Sequence, residues 1–220
     1  SWDMNFIYSK NKTILLDLGT FDPASQGITR GGSTNLLGGG TTILMPGKEL
    51  GLFYGYNIIG LYQQEDFNAG GALTVPAPQN SNDNTIGRYR YEDVNKDGKI
   101  TEADRTILGY SQPKFTLGWN NNLRWKNWNL NLFFNSSFGN DILNMAGAYM
   151  RTGILNLSGL SFNQTRDWYE KRWTVENPTN DPKYPAIQPK PNGGLLAFND
   201  ANSTMVEDGS FVRLKSATLA

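Results

Sequence analysis

The stretch FTLGWNNNLRWKNWNLNLFFNSSFG constrains this chain more than any other. From Phe115 apolar residues recur at every second position through Leu117, Trp119, Leu123 and Trp125, with Asn121 breaking the row. After Lys126-Asn127 the alternation resumes through Trp128, Leu130, Leu132, Phe134, Ser136 and Phe138. The positions between are Thr116, Gly118, Asn120, Asn122 and Arg124, then Asn129, Asn131, Phe133, Asn135 and Ser137. Successive strand residues point to opposite faces, so period two on both arms around a tight turn predicts a β-hairpin. One face is apolar and the other polar. Each arm is about the length a tilted strand needs to cross a bilayer. Trp125 and Trp128 flank the turn, as aromatic belts flank the apolar band of a membrane barrel. A soluble sandwich hairpin, its apolar face packed on a second sheet, alternates in the same way. The pattern leaves both readings open.

Composition narrows the class. Asparagine (25 residues), glycine (24) and aromatics (12%) are abundant among 220 residues, a mixture suited to strands joined by turns and polar loops. An all-β fold follows. Lys+Arg and Asp+Glu stand at 20 each, so no net field draws in nucleic acid. Cysteine and histidine are absent, which excludes disulfides, thiol nucleophiles, Ser-His-Asp triads and ordinary zinc sites. Both ends, SWDMNFIYSKNK and SFVRLKSATLA, read as strand-like runs, so the chain is expected to be a piece of a longer protein.

Long irregular stretches separate the strands: 20–47, 68–87 and 177–209 are rich in Gly, Pro, Ser, Thr and Asn. Such lengths are uncommon in compact domains, whereas membrane barrels pair short turns at one rim with long loops at the other. GLFYGYNIIGLYQ (51–63) is apolar on both faces. One short loop helix is expected over SFNQTRDWYEKRW, with Phe162, Arg166, Tyr169 and Trp173 at helical spacing and their aromatics serving as loop core.

Residues 93–104 place oxygens at every second position. Asp93, Asn95 and Asp97 take positions 1, 3 and 5 of a calcium loop, and Gly98 takes the turn at position 6. Lys99 offers its carbonyl at position 7, Thr101 stands at position 9 and Asp104 at position 12. A structural calcium is one expectation; an Asx-rich turn whose carboxylates bond backbone N–H groups is the other. The preceding TIGRYRYE reads as a strand instead of an EF-hand helix, and Asp at position 12 is shorter than the usual Glu. Either way the loop braces structure.

Four ordered motifs carry a family resemblance: PGKELGLFYGYNIIGLYQ, then GRYRYEDVNKDGKITEADRTILGYSQPKFTLGWNNNLRWKNWNLNLFFNSSFGNDILN, then KRWTVENPTNDPKYP, then EDGSFVRLKSATLA. Together, from about Pro46 to Ala220, they resemble the C-terminal barrel portion of SusC/RagA-like TonB-dependent outer-membrane transporters. The resemblance implies part of a 22-stranded antiparallel transmembrane barrel with long extracellular loops. The whole of 1–220 would be partial barrel, with plug and last strands absent and the EF-hand-like loop 93–104 set within it. It further implies an outer membrane of a Gram-negative, Bacteroidetes-type bacterium, import of glycans or peptides, a SusD-like lipoprotein over the mouth, and the TonB complex acting through parts not in this chain. Asn120, Asn122, Asn129, Asn131 and Asn135, opposite the Trp/Leu face, are the lumen or substrate-facing candidates. Outer-membrane lipid would meet the other face, and no enzyme activity is expected.

The alternative is a secreted β-sandwich carbohydrate-binding or adhesion module with a structural calcium, in which Trp119, Trp125, Trp128 and Trp173 stack on sugars. A glycoside hydrolase would need paired carboxylates. Glu170, Glu176 and Asp200 are available, but they lie in polar loop text.

Overall fold

The computed structural model describes residues 1–19, 28–30, 40–78, 84–151, 156–157, 160–161, 163–187 and 201–220. In chain order the strands are β1 (Trp2–Ser9), β2 (Ile28–Arg30), β3 (Thr42–Leu44), β4 (Leu52–Tyr56), β5 (Ile58–Leu61), β6 (Tyr89–Tyr91) and β7 (Arg105–Tyr110). They continue with β8 (Phe115–Trp125), β9 (Trp128–Phe138), β10 (Asp141–Leu143), β11 (Asn156–Leu157), β12 (Leu160–Ser161), β13 (Val206–Asp208) and β14 (Phe211–Leu219). Two short helices, α1 (Met145–Tyr149) and α2 (Arg166–Lys171), lie between β10 and β13. The fold is all-β and antiparallel, as composition and alternation predict.

The longest strands form one sheet in the order β1-β8-β9-β14. Its centre is the expected hairpin, paired without a slip from Phe115↔Phe138 to Trp125↔Trp128. Lys126 takes φ 51° at the two-residue turn. Such left-handed dihedrals match the twist of the flanking strands. β1 joins β8 in register from Trp2↔Leu123 to Ser9↔Thr116, and β14 joins β9 from Phe211↔Ser137 to Leu219↔Leu130. Neighbouring strands of this sheet thus meet through a tight turn at one rim. At the other they are linked by the long excursions 10–114 and 139–210.

The described parts of those excursions form sheets and cores of their own. β2, β3, β4 and β7 make a second sheet and β5 pairs with β6. Ile58, Leu61, Tyr89, Tyr91 and Ile100 are buried together, with Tyr56 and Trp173 against them. Ile43, Leu52 and Tyr54 form another cluster, flanked by Met45 and Ile107. Gly55 lets a neighbouring segment close in: a Cβ there would stand 1.9 Å from the Ala201 carbonyl oxygen, which accepts the Tyr56 N–H at 2.9 Å.

The short helix is about a quarter of a turn, one residue, out of phase with the expectation. α2 starts at Arg166, capped by Thr165, whose hydroxyl accepts the Trp168 N–H. Its buried aromatic is Trp168, whose indole donates to the Pro185 carbonyl at 3.1 Å, while Tyr169 is exposed. Six helical residues make less than two turns, too few for the longer periodicity to govern. Trp173 does pack into the core, and its indole donates to Gln63. Phe162 lies outside the described residues.

Candidate functional site

The register gives the four-stranded sheet two chemically distinct faces. On one, Phe6, Trp119 and Phe134 stack across three strands, with ring centroids 5.3 and 5.2 Å apart. A parallel row, Tyr8, Phe115 and Phe138, stands at the rim that carries the excursions. Met4, Leu132 and Ala217, then Trp2, Leu123, Leu130 and Leu219, continue this face towards the turn, where Trp125 and Trp128 close it. Aromatics therefore stand at both rims and, as the Phe6-Trp119-Phe134 stack, in a row between them, with aliphatics filling the rest.

An 11-residue strand is about 36 Å long and, tilted by ~45°, rises roughly 25 Å, the height of the apolar band of membrane barrels. No residue of this sheet belongs to a buried hydrophobic cluster among the described residues. Trp125 is 68% exposed and Phe6 63%. An uncovered apolar surface of this extent needs an apolar neighbour, because water is expelled from it at about 25 cal/mol per Å².

The two polar residues on this face are satisfied locally. Asn121, only 5% exposed, accepts a hydrogen bond from the Trp2 indole at 3.3 Å, and the Ser136 hydroxyl donates to the Leu117 carbonyl at 3.1 Å. Polar groups in an apolar medium require such partners.

The opposite face gathers all five candidate asparagines. Asn122 stands across from Asn131, whose amide donates to Asn120 Oδ1 at 3.1 Å; Asn129 faces Arg124 and Asn135 faces Gly118. The side-chain oxygens of Asn122 and Asn129 are sheltered without a hydrogen-bond partner among the described residues. The face is not wholly polar: Ile7 lies against Gly118, with the Phe133 ring beside it.

The loop at 93–104 is held by its own oxygens. The Asp93 carboxylate accepts N–H groups of Asp97 (3.2 Å) and Gly98 (2.8 Å), and Asp97 accepts that of Lys99 (2.9 Å). Asn95 Oδ1 accepts the Asp97 N–H at 3.0 Å. Asp104 is fully buried and joins the two ends of the loop. One oxygen takes the N–H groups of Val94 (3.0 Å) and Asn95 (3.4 Å). The other takes the N–H (2.7 Å) and hydroxyl (3.3 Å) of Thr101. With Thr101 it forms a capping box at the following 3₁₀ turn.

Calcium asks for six to eight oxygens. Both oxygens at position 12 already serve protein donors, and among the described residues no three acidic side chains are grouped to hold a metal. The oxygens of Asp93, Asn95 and Asp97 likewise accept donors of the loop itself, but they lie nearer the surface than the fully buried Asp104. Immediately after the staple, Arg105 opens β7 with its guanidinium over the Tyr54 and Tyr56 rings and a bond to the Gly40 carbonyl at 2.6 Å. Burial raises the Tyr54 phenol pKa, and the Arg105 charge opposes that shift.

Other charged groups sit in the second excursion. Arg151 holds Glu207 at 2.8 Å, and with the Asn144 amide lowers the pKa of that carboxyl. Glu170 is engaged by Arg166 on α2, Glu176 is exposed, and Asp200 lies outside the described residues. Among the described residues no helix is long and apolar enough to cross a membrane, which leaves crossing by strands as a separate matter.

No family model matches the chain. Two curated proteins of Formosa agariphila do. TonB-dependent receptor P3 is 34% identical over 216 residues, covering 98% of this chain and 19% of that protein. TonB-dependent receptor P26 is 32% identical over 222 residues, covering all of this chain and 20% of that protein. The chain thus spans about a fifth of the length of these relatives. In fold it is similar to the solved RagAB peptide transporter, with a TM-score of 0.57 at 18% identity over 99% of this chain and 20% of that one. The RagAB peptide importer in its "closed-closed" state gives 0.56 at 18% identity and the same coverage. The sheet order and the two-faced register agree with these comparisons: over nearly its whole length the chain is similar to a portion of TonB-dependent receptors, and in fold to a portion of the solved transporters.

Proposed function

We propose that the chain is a section of the wall of an outer-membrane transporter driven by the TonB complex. One observation carries the reading: four antiparallel strands present a continuous apolar face with aromatics at both rims, and among the described residues no second sheet lies over it. Lipid is the neighbour such a face fits, and a lumen is the neighbour that suits the asparagine face opposite. The wall works by shape and hydrogen-bonding capacity, without a reaction at any one side chain.

The likeness to a peptide transporter supports a polyamide or polyhydroxyl cargo, a peptide or a glycan, meeting Asn120, Asn122, Asn129, Asn131 and Asn135. The same likeness supports a SusD-like lipoprotein resting on the excursions. A structural calcium on Asp93, Asn95 and Asp97, with the Lys99 carbonyl and Thr101, is a separate proposal about the staple; its readout is a calcium-dependent rise in melting temperature. The sandwich alternative requires a second sheet on the Leu130 face, and the described residues supply none.

The test uses the intact receptor in membranes with single spin labels at Leu130→Cys and Asn131→Cys. Access of oxygen at 130 and of a polar relaxant at 131 is expected. If 130 is shielded from both reagents while 131 meets bulk water, the sheet packs on protein, and the binding module replaces the transporter.

A further inference from the structure

The charged side chains of the four-stranded sheet are sorted by face. Its strands carry Asp3, Arg124, Arg213 and Lys215, and all of these stand on the face of the asparagines. The apolar face carries no charge. Cations therefore outnumber carboxylates on this one surface, in a chain whose formal net charge is zero. Lys114, just before β8, adds a further cation at the rim of the excursions. Its stem lies over Gly139, where a Cβ would come within 2.7 Å of it.

Lys215 owes its place to the bulge of β14. The register shifts between Leu214 and Ser216, and the extra residue carries its ammonium over the Phe133 ring, 5.9 Å from the centroid. Bulges re-aim side chains in this way. Arg213, across from Asn135, holds its guanidinium 5.0 Å from the Phe211 centroid. Lys114, Arg124, Arg213 and Lys215 are all exposed, and none forms an ion pair among the described residues. Asp3 stands across from Asn122.

These cations make a ladder from rim to rim. Lys114 stands at the rim of the excursions, Arg213 is level with Gly118, Lys215 lies beside the row of Asn120, and Arg124 is next to the turn. At about 3.3 Å per residue the steps along the strands are roughly 13, 7 and 13 Å. The rungs thus recur at multiples of two residues, which is also the same-face repeat of an extended peptide lying along the wall. Between them the asparagines offer amide donors and carbonyl acceptors, the complement of a peptide main chain.

We propose that this face selects acidic peptides, whose carboxylates at alternate positions meet Arg213, Lys215 and the flanking rungs as the extended cargo passes along the wall. The proposal rests on the transporter reading, which makes this face the lumen, and deepens it by naming the charge of the cargo.

The probe is a short peptide of alternating Glu and Ser, titrated against the detergent-purified intact receptor, with the Gln-Ser peptide as its neutral counterpart. The acidic peptide is expected to bind the more tightly. Arg213→Gln/Lys215→Gln should weaken it about tenfold and leave the neutral peptide unaffected. Added salt should erase most of the difference, because both cations are exposed. The charge-keeping swap Arg213→Lys/Lys215→Arg should retain the preference for the acidic peptide, which separates charge from packing.

Equal affinity for the acidic peptide in the parent and the neutral variant overturns the proposal. So does a matched loss for both peptides, or loss of the preference in the charge-keeping swap, either of which makes these side chains structural. An oligogalacturonate that binds the parent as tightly as the acidic peptide overturns the choice of a peptide. The transporter reading fails on a different result, the spin-label pattern at 130 and 131, so the two can be told apart.

Discussion

The indole of Trp2 donates to the side-chain oxygen of Asn121 at 3.3 Å, although their strands meet in the pairs Trp2↔Leu123 and Met4↔Asn121. The bond runs diagonally over the apolar face and hides the polar atom of each partner. It explains how an asparagine can interrupt an apolar row at the middle of a strand. Trp2→Phe leaves the Asn121 amide unsatisfied and Asn121→Leu leaves the indole so; each is expected to destabilise the refolded receptor by about 1–2 kcal/mol. The double variant should lose less than the sum, because the orphaned group is gone. A denaturant-melt cycle in lipid vesicles reads the coupling; strict additivity would mean the bond contributes nothing.

Asp104 should matter more than the other loop acids. Asp104→Ala removes the acceptor for four donors at the buried closure of the loop, with an expected loss of about 3 kcal/mol. Asp97→Ala, at the exposed tip, is expected to lose about 1 kcal/mol or less. Hydrogen exchange over residues 92–105 reports both. The difference should persist with a chelator present, since the bonds are within the protein. An Asp104 effect confined to calcium-containing buffer would make the ion, not the hydrogen bonds, the staple.

Gly55→Ala tests how the two excursions are joined. The added carbon meets a backbone carbonyl, which cannot swing aside as a side chain can. Overpacking of this kind costs about 1–3 kcal/mol and should detach the segment around Ala201 from β4. The expected signature is faster amide exchange at Tyr56 and Ile58, whose N–H groups bond Ala201 and Ser203. Unchanged protection at both would show that the backbone yields there.

The Arg151-Glu207 pair predicts a mild acid sensitivity in the second excursion. The Glu207 carboxyl lies below its ordinary 4.5, lowered first by the Arg151 hydrogen bond. A depressed carboxyl contributes stability above its unfolded value, and that contribution fades as pH falls below about 4.5 through the folded one. The side chain is 41% exposed, so solvent screening holds the effect under ~1 kcal/mol. Glu207→Gln should flatten the melting temperature between pH 5 and pH 3, by about a degree or two. An identical slope in the variant would assign the acid loss to other groups.

The hairpin was fully legible because its information is local: alternation in each arm and a turn two residues long. β14 was harder. Its apolar residues Val212 and Leu214 change phase before Ala217 and Leu219, and a bulge at Lys215 restores them to one face, with the ammonium over Phe133. No reading at strict period two can show this. The core of the excursions was least legible, since Ile58, Tyr91, Ile100 and Trp173 come together from four separate segments. At the staple the difficulty was chemical. Oxygens spaced for calcium are also spaced to accept backbone N–H groups, and only the fold shows which donors Asp104 meets.

The contrast between the two rims also sets an order of events. Only β8 and β9 can pair at once, closing two residues; β1 must find β8 across residues 10–114, and β14 must find β9 across 139–210. The first excursion shortens that search by folding on itself, for Leu15 bonds Lys48 and Gly51 bonds Ser111, which brings the departing and returning chain together beside the rim. A segment folded beside the rim thereby governs how soon the long strands can close their ranks.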